Sequence, residues 1–191
     1  MDFIFIRHGQ GEHTLNLPDS LQIQDPALTK KGIKQAESLQ SQITITDKDI
    51  VVISPIRRTL ETANILTRNI GCRKVVSPLV SPRMFPQNPE WETLPCDRML
   101  DKKLIREEFP SFTIYEGLPE EFWISGINTM PEQEFSAVAA RFLEWCREQN
   151  AERIYVVSHD GTINSYRQFI RGENLTREDF LKDAGWITQS C

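Results

Sequence analysis

With 191 residues the chain is long enough to bury a sizeable core as one domain, and its 39% hydrophobic and 26% charged residues are ordinary for a globular protein. A formal net charge of -5 leaves no global basic surface and argues against nucleic acid as a partner, so an anionic ligand would need a local basic pocket inside a mildly acidic shell. No stretch is apolar for long enough to span a bilayer, and with no charged segment ahead of a long apolar run no signal peptide is expected. Cys72, Cys96, Cys146 and Cys191 form no CxxC pair and read as reduced thiols, so the expected location is cytoplasmic, without membrane association.

Phe3 to Ile6 is an apolar run without polar alternation, the pattern of a strand buried on both faces. It stops at Arg7-His8-Gly9, which puts a cation and an imidazole at the carboxyl end of a strand, where open α/β sheets bind ligands. Gly9 permits a sharp turn or a close approach there. A polar loop follows, Gln10-Gly11-Glu12-His13-Thr14-Leu15-Asn16, and continues through Asp25. Thr29 is the expected cap of a helix running to about Gln42, with Ile33, Ala36 and Leu39 inward and Gly32 as a weak point in its first turn. Ile50 to Ile53 reads as a second strand. Ser54-Pro55 reads as the N-cap and first-turn proline of a helix to about Asn69, with Leu60, Ala63, Ile65 and Leu66 buried and Gly71 as terminator. Lys74 to Val76 is a third strand.

Residues 78–131 differ in character. Prolines at 82, 86, 89, 95, 110 and 119 alternate with Phe85, Trp91, Phe109, Phe112, Tyr115, Phe122 and Trp123. Such a segment cannot be one regular element, and it is too aromatic to be disordered. It is expected to be an ordered, lid-like insertion over the strand ends, with a short helix near Asp101 to Glu108. Pro131 starts the longest helix, to about Gln149, with Phe135, Ala139, Phe142 and Cys146 at helical spacing. Arg153 to Ser158 is a fourth strand and ends in His159-Asp160-Gly161. A helix from Gly161 to Arg171 stops near Gly172, a short capped helix spans Thr176 to Leu181, and Trp186 to Cys191 reads as a last edge strand. Strands alternating with helices predict an α/β three-layer sandwich around a mostly parallel sheet, one domain over residues 1–191.

Three basic clusters fall at strand-to-helix junctions: Arg7-His8, Arg57-Arg58 and His159. Both arginines of the middle cluster lie in a first helical turn, where the helix dipole disfavours positive charge and a bound dianion would remove the conflict. Arg57 stands four residues before Glu61 and can pair with it on the helix surface. Arg58 lies about 100° further round and is expected to point inward.

On Arg7-His8-Gly9, Ser54-Pro55-Ile56-Arg57-Arg58-Thr59-Leu60-Glu61-Thr62-Ala63 and Val157-Ser158-His159-Asp160-Gly161, with Asp25, Leu28-Thr29, Gly32 and Gln35-Ala36, the chain resembles the histidine phosphatase superfamily, the phosphoglycerate-mutase-like fold. The Gln10-Gly11-Glu12-His13 loop and Pro95-Cys96-Asp97 look like a mutase-like subgroup found in eukaryotes and bacteria. The resemblance implies that His8 is the nucleophile, phosphorylated on a ring nitrogen, that Arg7 and Arg58 hold the phosphoryl oxygens, and that His159 assists. Many members carry a Glu shortly after the third strand, whereas Leu79 to Met84 contains no carboxylate. Another branch places an Asp after the second His, which makes Asp160 the expected proton donor, with Glu90, Glu92 and Asp97 as rivals and helix capping as its plainer role. Gly9, Gln10, Thr14, Asn16 and Asp97 are the expected substrate contacts, with His13 a loop residue or a further contact. The implied activity is a metal-independent phosphatase without cofactor, acting on a phosphorylated small molecule. Mutase-type transfer and a catalytically weak phosphate-binding module are the alternatives.

Overall fold

The computed structural model describes residues 1–190; Cys191, with the thiol and strand end expected there, lies outside the described residues. Six strands form one sheet: β1 Asp2–Arg7, β2 Ile50–Ile53, β3 Arg73–Val76, β4 Thr113–Ile114, β5 Arg153–Ser158 and β6 Trp186–Ser190. Their order is β4-β3-β2-β5-β1-β6. Every neighbouring pair is parallel except β6, which runs antiparallel along β1. The helices are α1 Lys30–Leu39, α2 Arg57–Leu66, α3 Lys102–Glu108, α4 Glu120–Ser125, α5 Glu132–Glu148 and α6 Asp160–Arg171.

Successive side chains of a strand point to opposite faces, and here both faces are buried. On one face Ile4, Ile6, Val51, Ile53 and Val157 pack with Leu39 of α1, Leu60, Ala63 and Leu66 of α2 and Ile105 of α3. On the other, Phe3, Phe5, Val52, Ile154 and Val156 meet Phe135, Ala139 and Phe142 of α5 and Ile163 and Tyr166 of α6. The result is three layers, as the unbroken apolar runs demanded. The register pairs Ile6 with Val157 and Ile53 with the same Val157, so the carboxyl ends of β1, β5 and β2 are level. The helices that follow these strands leave to different faces, which opens a crevice at that edge.

Several boundaries differ from expectation. Thr29 caps α1, its side chain accepting from the Gly32 N–H, but the helix ends at Leu39. Ile33 is 40% exposed. The inward line is Gly32, Ala36 and Leu39 instead, because the loop after β1 lies against Gly32: a Cβ there would stand 2.1 Å from the Gln10 carbonyl oxygen. Ile56, not Ser54, is the N-cap of α2, and the chain leaves that helix at Thr67, before Gly71. Helix α6 begins at Asp160 with His159 as N-cap, and stops at Gly172 in the left-handed region. Thr176 caps only a single turn, Arg177–Asp179, through a capping box.

Residues 78–131 are ordered and built of short pieces: α3, which is the short helix expected near Asp101 to Glu108 and has Asp101 as its N-cap, together with β4, α4 and single turns at Pro78–Val80 and Pro95–Asp97. Arg83 fastens this segment, donating to the carbonyls of Ile127 and Met130 and pairing with Glu132, while its guanidinium lies 4.1 Å from the Phe135 ring centroid. Cys72, Cys96 and Cys146 are buried thiols.

Candidate active site

His8 is the first residue beyond β1. Its N–H donates to the Ser158 carbonyl at 3.1 Å on the β5 side, and its carbonyl accepts from Ala184 at 3.0 Å on the other. Gly9 then passes so close to α1 that a Cβ would sit 2.5 Å from the Gly32 carbonyl oxygen, and its N–H donates to Thr62 Oγ1 at 3.2 Å. The imidazole is 2% exposed. Nδ1 is 2.7 Å from the Gly9 carbonyl and must donate to it, which leaves the Nε2 lone pair to accept from Arg58 Nε at 3.2 Å.

The Arg58 guanidinium, buried at the start of α2, is the centre of the cluster. Nη1 donates to the Cys96 carbonyl at 2.7 Å, and Nη2 donates both to Asp97 Oδ1 at 2.7 Å and to His159 Nδ1 at 3.2 Å. His159 therefore carries its proton on Nε2, which donates to Ser54 Oγ at 2.8 Å. That contact explains why Ser54 does not cap α2. The His8 and His159 ring centroids are 5.1 Å apart. Burial, and then the Arg58 charge, lower both pKa values well below the ordinary imidazole value, so both rings are neutral.

Arg7 lies at the edge of this cluster. Nη1 donates to the Leu181 carbonyl at 2.6 Å, and Nη2 pairs with Asp160 Oδ2 at 3.0 Å and Asp183 Oδ1 at 3.5 Å. Its Nε is buried without a partner. Asp160 is engaged at both oxygens, since Oδ1 accepts the Gly161 N–H at 2.7 Å. The helix-terminal role weighed for it is thus present in the structure. Arg57 points away from the imidazoles and ties α2 to Asp25 and Glu108. The Arg57–Glu61 pair does not form, because the Glu61 carboxylate accepts the Leu28 N–H at 2.7 Å.

The loop residues divide unexpectedly. Gln10 faces α1: its N–H donates to Gln35 and its side-chain oxygen accepts from Thr29. The Thr14 hydroxyl donates to the Gly11 carbonyl at 2.9 Å, and Asn16 is exposed. His13 is the loop side chain that reaches the cluster. It is 8% exposed, with its ring centroid 5.5 Å from that of His8 and Nδ1 buried without a partner. Burial, then Arg58 and Arg7, lower its pKa to about 3. No local pattern in the sequence marks it, since only the fold brings a polar loop over a strand end.

A hollow of about 210 Å³ adjoins the cluster, bordered by Phe85, Trp91, Asp97, Asp160 and Phe180 among others. A second, of about 590 Å³, lies inside the 78–131 segment and shares Glu92, Asp97 and Asn128 with the first. Asp97 therefore stands between Arg58 and both spaces. Glu92 is exposed at their rim, and Glu90 is exposed outside both. Among the described residues no three His, Cys, Asp or Glu side chains converge as a metal site, and no helix is long and apolar enough to cross a membrane. A neutral imidazole with its lone pair facing a fixed guanidinium combines a nucleophile with a planar anion-binding group.

Comparison with curated proteins gives no match. Solved structures match along almost all of the chain. The alpha-ribazole phosphatase from Shigella flexneri has a TM-score of 0.61 and 21% identity, covering 98% of this chain and 89% of that one. A phosphoserine phosphatase from Entamoeba histolytica, in complex with 3-phosphoglyceric acid, has a TM-score of 0.62 and 24% identity, covering 98% and 89%. A mycobacterial glucosyl-3-phosphoglycerate phosphatase has a TM-score of 0.61 and 16% identity, covering 98% and 88%. At these identities the likeness is one of fold, and the fold is that of phosphoglycerate-mutase-like histidine phosphatases. The family model of the histidine phosphatase superfamily (branch 1) matches residues 3–182, and the chain therefore belongs to that superfamily.

Proposed function

We propose that the protein hydrolyses phosphate monoesters of small molecules through a phosphohistidine on His8, with no metal in the chemistry. The observation that carries this reading is the fixed tautomer of His8: Gly9 holds the Nδ1 proton, and Nε2 presents its lone pair toward Arg58. In the first step Nε2 forms a bond to phosphorus as the ester P–O bond breaks, and the leaving oxygen takes a proton from a carboxyl group. In the second, that carboxylate takes a proton from water as the water oxygen bonds to phosphorus, the P–N bond breaks and its electron pair returns to Nε2, and phosphate leaves. Arg58 and His159 face the transferring group and stabilise its charge. One such contact at about 4 Å and an effective dielectric near 20 contributes about 4 kcal/mol. The three structurally similar proteins named above are phosphatases, which favours hydrolysis.

The match is to branch 1, so the role expected of Asp160 by analogy with a different branch rests on this chain's own geometry. Both Asp160 oxygens are engaged, whereas Asp97 holds Arg58 through Oδ1. A phosphoryl group that took Arg58 Nη2 would displace Asp97 and free it to meet the leaving oxygen. The geometry favours Asp97 over Asp160 as proton donor.

The test is phosphate release from an aryl phosphate in the presence of EDTA, together with trapping of an acid-labile phosphoenzyme. Wild type should turn over and label, and His8→Ala should do neither. Full activity in His8→Ala ends the proposal.

A further inference from the structure

The site contains an imidazole that the two-step scheme does not use. His13 packs beside His8 and is nine-tenths buried, yet its Nδ1 has no hydrogen-bond partner. Buried polar atoms are almost always paired, and an orphan on a ring whose centroid is 5.5 Å from that of His8 calls for a partner there. The placement is built rather than incidental. The Glu12 N–H donates to the Ala27 carbonyl at 2.9 Å, and the Glu12 carboxylate accepts from the Ala27 N–H at 3.1 Å. Ser20 Oγ donates to the His13 carbonyl at 2.8 Å. Gly11 supplies the room: a Cβ there would stand 2.6 Å from His13 Nδ1 and 3.1 Å from Arg58 Cδ. The ring and the arginine that faces His8 and His159 thus both close in on Gly11, near enough for the Arg58 charge to lower the His13 pKa.

We infer that His13 is a phosphoryl-contact residue, donating a ring N–H to a non-bridging oxygen of the group bound between His8, Arg58 and His159. This rests on the reading of His8 as the site of phosphoryl transfer. A bound phosphate supplies the acceptor that the third imidazole lacks, and the ring, held neutral, donates to it without adding a further cation beside two arginines. The loop thus contributes through His13 the contact that Thr14 and Asn16, turned elsewhere, do not make.

Inorganic phosphate, as competitive inhibitor and as NMR titrant, is the probe. His13→Phe keeps the ring volume and removes the N–H, while His13→Gln keeps a donor. The inhibition constant for phosphate should weaken about ten- to a hundredfold in His13→Phe, the range expected for one hydrogen bond to a charged group. It should return to within about fivefold of wild type in His13→Gln, inside the span of one such bond. An unchanged constant in His13→Phe, or equal losses in both variants, overturns the inference. Should His13→Phe fold poorly, the ring ¹⁵N resonances of wild type decide: the His13 signal moves on adding phosphate, and a signal that stays put overturns the contact. Failure here is separable from failure of the proposed function, because His8→Ala decides that independently.

Discussion

Nε2 of His8 lies 3.2 Å from Nε of Arg58, fifty residues later in the chain, and the same guanidinium reaches Nδ1 of His159. One planar cation therefore orients the lone pairs of two buried imidazoles. A lysine has a single ammonium on a flexible stem and cannot serve both rings, Cys96 and Asp97 together. Arg58→Lys should lower kcat/KM for an aryl phosphate by on the order of 10²- to 10⁴-fold, from the loss of about two charge-assisted hydrogen bonds. Steady-state kinetics checks this, and a lysine variant that keeps near wild-type turnover would remove Arg58 from the chemistry.

The proton donor can be found by leaving group. An alkyl oxide needs a proton far more than a nitrophenolate does, so loss of the donor hurts alkyl esters most. Asp97→Asn is expected to depress kcat/KM for an alkyl phosphate by about 10²- to 10⁴-fold and for an aryl phosphate by much less. Asp160→Asn should lower both by similar factors, through the loosened Arg7. The opposite pattern across the two variants would return the role to Asp160.

Stability should depend on pH through the buried rings. Folding moves His8, His13 and His159 from water, where an imidazole titrates near 6.5, into surroundings that lower their pKa values. Below about 6.5 the unfolded chain takes up protons that the folded chain does not. The contribution is therefore complete above that pH and is lost as pH falls, for His13 toward about 3. Urea unfolding at stepped pH should show a steeper loss between about 6.5 and 5 in wild type than in His13→Gln. Parallel curves would mean that His13 titrates alike in both states.

Gly32→Ala would ordinarily favour a helix by up to about 1 kcal/mol. Here the new methyl meets the Gln10 carbonyl oxygen at 2.1 Å, and backbone cannot rotate aside as a side chain can. The substitution should destabilise the protein by about 1–3 kcal/mol, the range for overpacking, and lower turnover because the displaced loop carries Gly9 and His13. Urea midpoints and kcat together test this; a stabilised, fully active variant would contradict the packing described.

The strand-end histidines were legible because a strand buried on both faces writes an unbroken apolar run, and its abrupt end marks a position without any knowledge of partners. Arg58 was legible from helical geometry alone, and the three-layer arrangement from alternating elements. Contacts between distant segments were not. Nothing near Ile33 says that a loop from residue 10 will claim the Gly32 side of α1. Nothing near Arg57 says that Asp25 and Glu108 will outcompete Glu61. Ser54 has the composition of a cap, but His159 takes its hydroxyl. Strand β4 is two residues long and exists because β3 offers an edge beside it. The sequence marks His13 only as a loop residue or a further contact, because its burial depends on Gly11, Ser20 and Arg58 at once.

The strand that leads into His8 is completed from far away. It is flanked by β5 and β6, Arg7 donates to the Gly185 carbonyl at 2.9 Å, and the His8 carbonyl is held by Ala184. During synthesis on the ribosome this strand emerges before the other five described strands, yet it gains its second neighbour only when Ser190 has followed. Pairings at such separation are slow to form and leave an apolar edge open meanwhile. A circular permutant in which Trp186–Ser190 is joined to Asp2 through a short turn would make the most distant pairing of the sheet a local hairpin.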